Sequence, residues 1–94
     1  MKHASRTALD RLAPLVETLR AISSLVERTQ GSFYRRNVAF LHFHEDAAGL
    51  FADAKLDLVK FERFPVNTRA EQAALLRAVR LALGVAANVS GRKS

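Results

Sequence analysis

Ninety-four residues, 49% hydrophobic and 26% charged, with a net charge of +6, make one globular domain with a modest core and exclude a disordered chain. The absence of Cys excludes disulfides and thiolate chemistry, and leaves His and carboxylates as the metal ligands on offer. No apolar run approaches the ~20 residues of a membrane-spanning helix, and the opening MKHASRTALDRL has no apolar signal core, so the expectation is a cytoplasmic protein without membrane contact.

The charge is uneven. Residues 1–36 carry seven Lys/Arg and three Asp/Glu, residues 37–66 three and five, and residues 67–94 five and one. Basic ends around an acidic middle point towards a polyanion partner. The plainer alternative is that Arg forms the solvated side of Ala-rich helices, since no run of five basic residues occurs.

From Thr7 to Ile22, Leu9, Leu12, Leu15, Val16, Leu19 and Ile22 repeat with the spacing of one helical face. Pro14 interrupts the pattern, because an interior proline deletes a hydrogen bond and crowds the preceding turn. Either the helix starts near Asp10 with Pro14 in its first turns, or it starts near Thr7 and bends. The middle of the chain reads as about four antiparallel strands. VAFLHFHE (38–45) and its return LFADAKL (50–56) are the clearest. LVERT (25–29), the short FYRR and FERFPV (61–66) supply the others, with Pro65 confining the last to an edge or a strand end. Arg36-Asn37 suits a tight turn, since Asn tolerates positive φ. Thr68 with Glu71 three residues on forms a capping box. The helix it opens runs to about Val85, with Leu75, Leu76, Val79, Ala82 and Leu83 as its apolar stripe and Leu81 outside it. Residues 87–94 are expected to fray.

The order α-β-β-β-β-α, in a single domain spanning 1–94, predicts an α+β fold: a meander sheet with the terminal helices on one face. Its other face is left for solvent, a ligand or a partner. A regular four-residue loop at 46–49 pairs His44 with Phe51, His42 with Asp53 and Leu41 with Ala54. Alternation then puts Ala39, Leu41, Phe43, Ala52, Ala54 and Leu56 on the core side, and Phe40, His42, His44, Phe51, Asp53 and Lys55 on the open side. A bulge would break that assignment.

Three readings of the open face follow. Rings beside polar groups suit a shallow ligand pocket or a homodimer contact, with Tyr34 and Phe61 as further members. Asp53 opposite His42 would orient that ring and raise its pKa, giving a general base or an anion-holding cation, or His42 and His44 would share a metal with a carboxylate. Cross-strand charge pairs of this kind are also common on solvated faces, worth about 0.2–1 kcal/mol. The sequence fixes no third metal ligand and no catalytic residue, and it contains no cofactor motif. A nucleic-acid surface would use Arg35, Arg36, Arg63, Arg77 and Arg80, with aromatic rings stacking on bases.

The run from Phe33 to Val66 resembles those of small bacterial proteins without an assigned function. It is also loosely similar to the YjbR/MmcQ-like group. Members of that group carry a helix, then an aromatic xAFxxF strand, here Val38-Ala39-Phe40-Leu41-His42-Phe43, and a return strand ending in Lys-Leu, here Lys55-Leu56. The resemblance covers about a third of the chain, which lacks the group's longer C-terminal half. It implies DNA binding and carries over no functional residue.

Overall fold

Pro14 divides the first helical segment in two. The computed structural model, which describes residues 2–84, has α1 over Arg6–Arg11 and α2 over Ala13–Arg20, with Pro14 in the first turn of α2. There its missing N–H costs nothing, because the first four helical N–H groups have no partner within the helix. Ser5 caps α1 by accepting the Ala8 N–H at 3.2 Å. The break at Leu12 leaves the apolar face intact: Leu9, Leu12, Leu15, Val16, Leu19 and Ile22 are all buried.

A two-residue strand, β1 (Lys2–His3), precedes these helices. After them come β2 (Val26–Thr29), β3 (Ser32–Arg35), β4 (Val38–Asp46), β5 (Gly49–Ala54) and β6 (Glu62–Pro65). The sheet is an antiparallel meander in the order β2-β3-β4-β5-β6, so the expected α+β class holds with five consecutive strands in place of about four. β1 pairs with β4 at His44 and Glu45, along the edge of β4 that β3 occupies at residues 38–42. It thus lies end to end with β3. The last helix, α3 (Arg69–Leu83), has the full Thr68/Glu71 capping box and stops at Gly84 in a left-handed conformation. Residues 85–94, including the tail from 87 on, lie outside the described residues.

Two turns set the register. Arg36 and Asn37, at φ 53° and 68°, form the two-residue link between β3 and β4, as a right-twisting hairpin requires. The link from β4 to β5 is shorter than expected: Asp46 pairs with Gly49, leaving Ala47-Ala48 as the loop. Asp46 accepts the Ala48 N–H at 2.8 Å. Extending both strands symmetrically leaves the register unchanged, so His42 opposes Asp53 and Leu41 opposes Ala54.

Helices and sheet share one buried cluster. Leu12, Leu15 and Leu19 of the first two helices and Leu75 and Val79 of α3 join Phe33, Leu41, Phe43, Ala52 and Ala54 of the sheet. Leu76 and Leu83 pack against it in part, while Leu81 is 83% exposed. Phe40 departs from the predicted faces. Phe33 pairs with Leu41 and Tyr34 with Ala39, so Phe40 is the extra residue of a β-bulge. A bulge interrupts strict alternation, and Phe40 is 1% exposed within the core cluster. It is therefore not a residue of the open face.

Candidate functional site

Strand pairing sets out two transverse rows across the sheet. One runs Ser32, His42, Asp53, Arg63 through β3 to β6; the other runs His3, His44, Phe51, Pro65 through β1, β4, β5 and β6. Residues two apart on a strand share a face. The rows therefore bring together all three histidines of the chain, one carboxylate and one guanidinium, on the side of the sheet away from the helices.

Their contacts differ from simple cross-strand pairing. Asp53 is His42's register partner, yet its Oδ2 lies 3.3 Å from Nε2 of His44, a diagonal neighbour. That same Nε2 is 2.7 Å from Nδ1 of His42. Arg63 donates to both Asp53 oxygens, Nε to Oδ1 at 2.8 Å and Nη2 to Oδ2 at 2.9 Å, the bidentate fork that suits a carboxylate. Asp53 is 7% exposed and is the one buried charged residue among those described. The ligand atoms of His42, His44 and Asp53 lie within 4.8 Å of one another.

Rings close the cluster. The His3 ring stacks on His44 with centroids 5.1 Å apart and is tilted to His42 at 5.5 Å. Phe61 meets His42 edge-on at 4.8 Å, and Lys55 Nζ stands 4.8 Å from the Phe61 centroid. A shallow depression beside the imidazoles is lined by His3, Ser32, Tyr34, Ala39 and His42, with the core residues Phe33 and Leu41 behind them.

The electrostatics reverse one expectation. Burial pushes the His42 pKa down, the neighbouring His44 adds to the effect, and the charge of Asp53 does not overcome them. Asp53 does act to raise it, as expected, but the carboxylate is shared with Arg63 and His44 and the net shift is downward. Asp53 itself is held below the usual carboxylate range, chiefly by the Arg63 hydrogen bonds and against the effect of burial. His42 is thus biased towards neutral imidazole, one of whose nitrogens accepts while the other donates.

Of the other predicted residues, Phe51 is half-buried and lies between His44 and Pro65 in register, and Lys55 is half-buried beside Phe61. The five arginines do not converge. Arg63 is engaged by Asp53, Arg35 and Arg36 lie at the β3–β4 turn, and Arg77 and Arg80 are on α3 in the helical layer. Tyr34 receives the Arg28 guanidinium, 4.7 Å from its centroid. One site residue, His3, escaped sequence reasoning, and Arg63, expected on a nucleic-acid surface, binds Asp53 instead. His3 lies in a two-residue strand too short to show periodicity, and the Asp53–Arg63 clamp needs the β5–β6 register, which the irregular stretch 55–61 conceals.

A carboxylate, two imidazoles in line and a third beside them can ligate a metal, relay a proton from His42 through His44 towards Asp53, or hold an anion when protonated. In comparisons with known proteins, no family model, curated protein or solved structure matches the chain, so they add nothing for or against a YjbR/MmcQ-like relationship.

Proposed function

We propose that this chain is a small binding module that holds a polar ligand on the open face of its sheet, over His3, His42, His44 and Asp53. One observation carries the reading. All three histidines of the chain gather on a face that the core does not need, and His44 contacts Asp53, the one buried charged residue among those described. A buried carboxylate and clustered imidazoles are costly unless paired, and the hydrophobic core lies on the other side of the sheet. Phe61, Lys55 and the neighbouring depression give the cluster the mixed apolar and polar lining of a ligand site.

A homodimer through an aromatic sheet face has less in its favour with Phe40 in the core, because dimer contacts are the more apolar kind of surface. DNA binding has less in its favour with the arginines dispersed over two layers. The test is thermal unfolding of the tag-free chain with zinc sulfate, inorganic phosphate, citrate or a short random DNA duplex. Anything bound by the native state raises the midpoint. The reading predicts a rise with at least one small ligand, lost in His42→Ala and kept in Arg77→Ala. It is overturned if no small ligand gives a rise, or if DNA alone does so in a salt-sensitive, Arg77-dependent way.

A further inference from the structure

We propose that the ligand of this face is a divalent transition-metal ion of the zinc class, held by Nδ1 of His42, Nε2 of His44 and a carboxylate oxygen of Asp53. This rests on the ligand-binding reading above and names the ligand's chemistry.

Geometry is the first support. Zinc sits about 2.0–2.2 Å from imidazole nitrogen and carboxylate oxygen, which places adjacent donor atoms roughly 3.3–3.6 Å apart around a tetrahedral ion. His44 Nε2 and Asp53 Oδ2 are 3.3 Å apart, within that spacing. The two imidazole nitrogens, at 2.7 Å, need to part by roughly 0.6–0.9 Å, and the donor set, now spread over 4.8 Å, draws in around the ion by side-chain rotation. Without an ion, one proton must lie between them; with one, both nitrogens are donors to the same centre.

Donor chemistry is the second. Two nitrogens and an oxygen, with no sulfur, suit zinc, nickel or cobalt. Magnesium and calcium take oxygen ligands and have little use for imidazole. Three protein ligands also leave a tetrahedral ion one open position, the pattern of sites that bind a further molecule. His3 is the nearest additional imidazole, with its ring 5.1 Å from that of His44. It could fill that position or yield it to a ligand entering from the depression it lines.

Support around the ligands is the third. Ligating carboxylates are usually held by an outer hydrogen bond, and Arg63 supplies two, from the neighbouring strand. A carboxylate has about four lone-pair sites, so the Arg63 fork leaves Asp53 able to ligate. His42 and His44 stand on the nine-residue β4, which is paired on both edges, so the backbone places both donors rigidly.

The experiment is calorimetric titration of zinc sulfate into the metal-free, tag-free chain, with magnesium as the control ion and visible absorption of the cobalt(II) form as a second readout. One zinc ion per chain is expected. His42→Ala or His44→Ala should weaken binding by more than about 100-fold, beyond what loss of an outer hydrogen bond does. His3→Ala should weaken it less, and Arg77→Ala should not change it. No zinc binding, or binding unchanged in both His42→Ala and His44→Ala, overturns the proposal. If those variants fail to fold, the cobalt form of the unmutated chain decides: an intensified, shifted ligand-field band supports ligation, and the spectrum of the hydrated ion overturns it. Zinc silent while phosphate or citrate still gives a His42-dependent rise in unfolding midpoint ends the metal inference and leaves the binding face standing. Silence from every probe ends both.

Discussion

Asp53 anchors the polar cluster of the open face. A carboxylate 7% exposed is tolerated in a small domain because Arg63 and His44 take its lone pairs. Two magnitudes separate a solvated cross-strand pair from a clamped one. The first is worth about 0.2–1 kcal/mol, whereas hydrogen bonds to a charged group contribute about 1.5–3 kcal/mol. Asp53→Ala should therefore lower stability by roughly 2 kcal/mol in urea unfolding; a loss well under 1 kcal/mol would return Asp53 to the solvated class. His42→Ala, which removes no buried charge partner of comparable strength, should cost less than about 1 kcal/mol. The sequence made the His42–Asp53 opposition legible, because period-two alternation and a short turn determine which residues face each other. It did not show that Asp53 prefers His44. That choice depends on side-chain rotamers and on Arg63, which arrives from a strand beyond an irregular loop.

At the scale of elements, turns and ties decide more than the strands do. Gly49 has φ +130°, a region nearly closed to residues with a side chain, and an added Cβ would come 2.5 Å from Oδ1 of Asn67. That oxygen accepts the Leu50 N–H at 2.8 Å. Gly49→Ala should therefore strain the turn and displace the link between β5 and the start of α3, costing roughly 2–3 kcal/mol in denaturant unfolding. The capping box at Thr68 predicts a loss of about 1 kcal/mol for Thr68→Ala. Glu27 links α2 to the β2–β3 turn, bonded to Arg20 and accepting the Gly31 N–H at 2.9 Å. The Arg20 hydrogen bond is the main cause of its lowered pKa, against burial, with the Gly31 N–H acting in the same direction. A depressed carboxylate pKa adds stability that is complete above the unfolded-state value and lost as pH falls through the folded-state value. Glu27→Gln should accordingly flatten the acid limb of the stability–pH curve, read by thermal unfolding at a series of pH values. An unaltered acid limb would show that the bridge is no tie. The start of α3 was legible from Thr68, whose chemistry acts locally, whereas Pro14 left the first helix's start open and did not reveal the break at Leu12. The bulge at Phe40 was not legible either, since it arises from how β3 pairs with β4, and VAFLHFHE reads the same with or without it.

For the whole molecule, the division of labour between faces is the main result. Among the described residues, the helices and eighteen buried apolar residues take one side of the meander, and the imidazoles, Asp53, Arg63, Phe61 and Lys55 gather on the other. The alternating hairpin was enough to foresee an α+β sheet with an open side, because hydrophobic period dictates which face is buried. It was not enough to foresee that β1 would bring a third histidine to that side. No helix among the described residues is long and apolar enough to cross a membrane. Binding at the open face is read most directly by a backbone and imidazole NMR shift map of the chain during titration with zinc sulfate and, separately, inorganic phosphate. Ligand binding at this face predicts shifts centred on His3, His42 to His44, Asp53 and Phe61 to Arg63, with the helical layer quiet. Shifts confined to α3 around Arg77 and Arg80, or none at any residue, would contradict it.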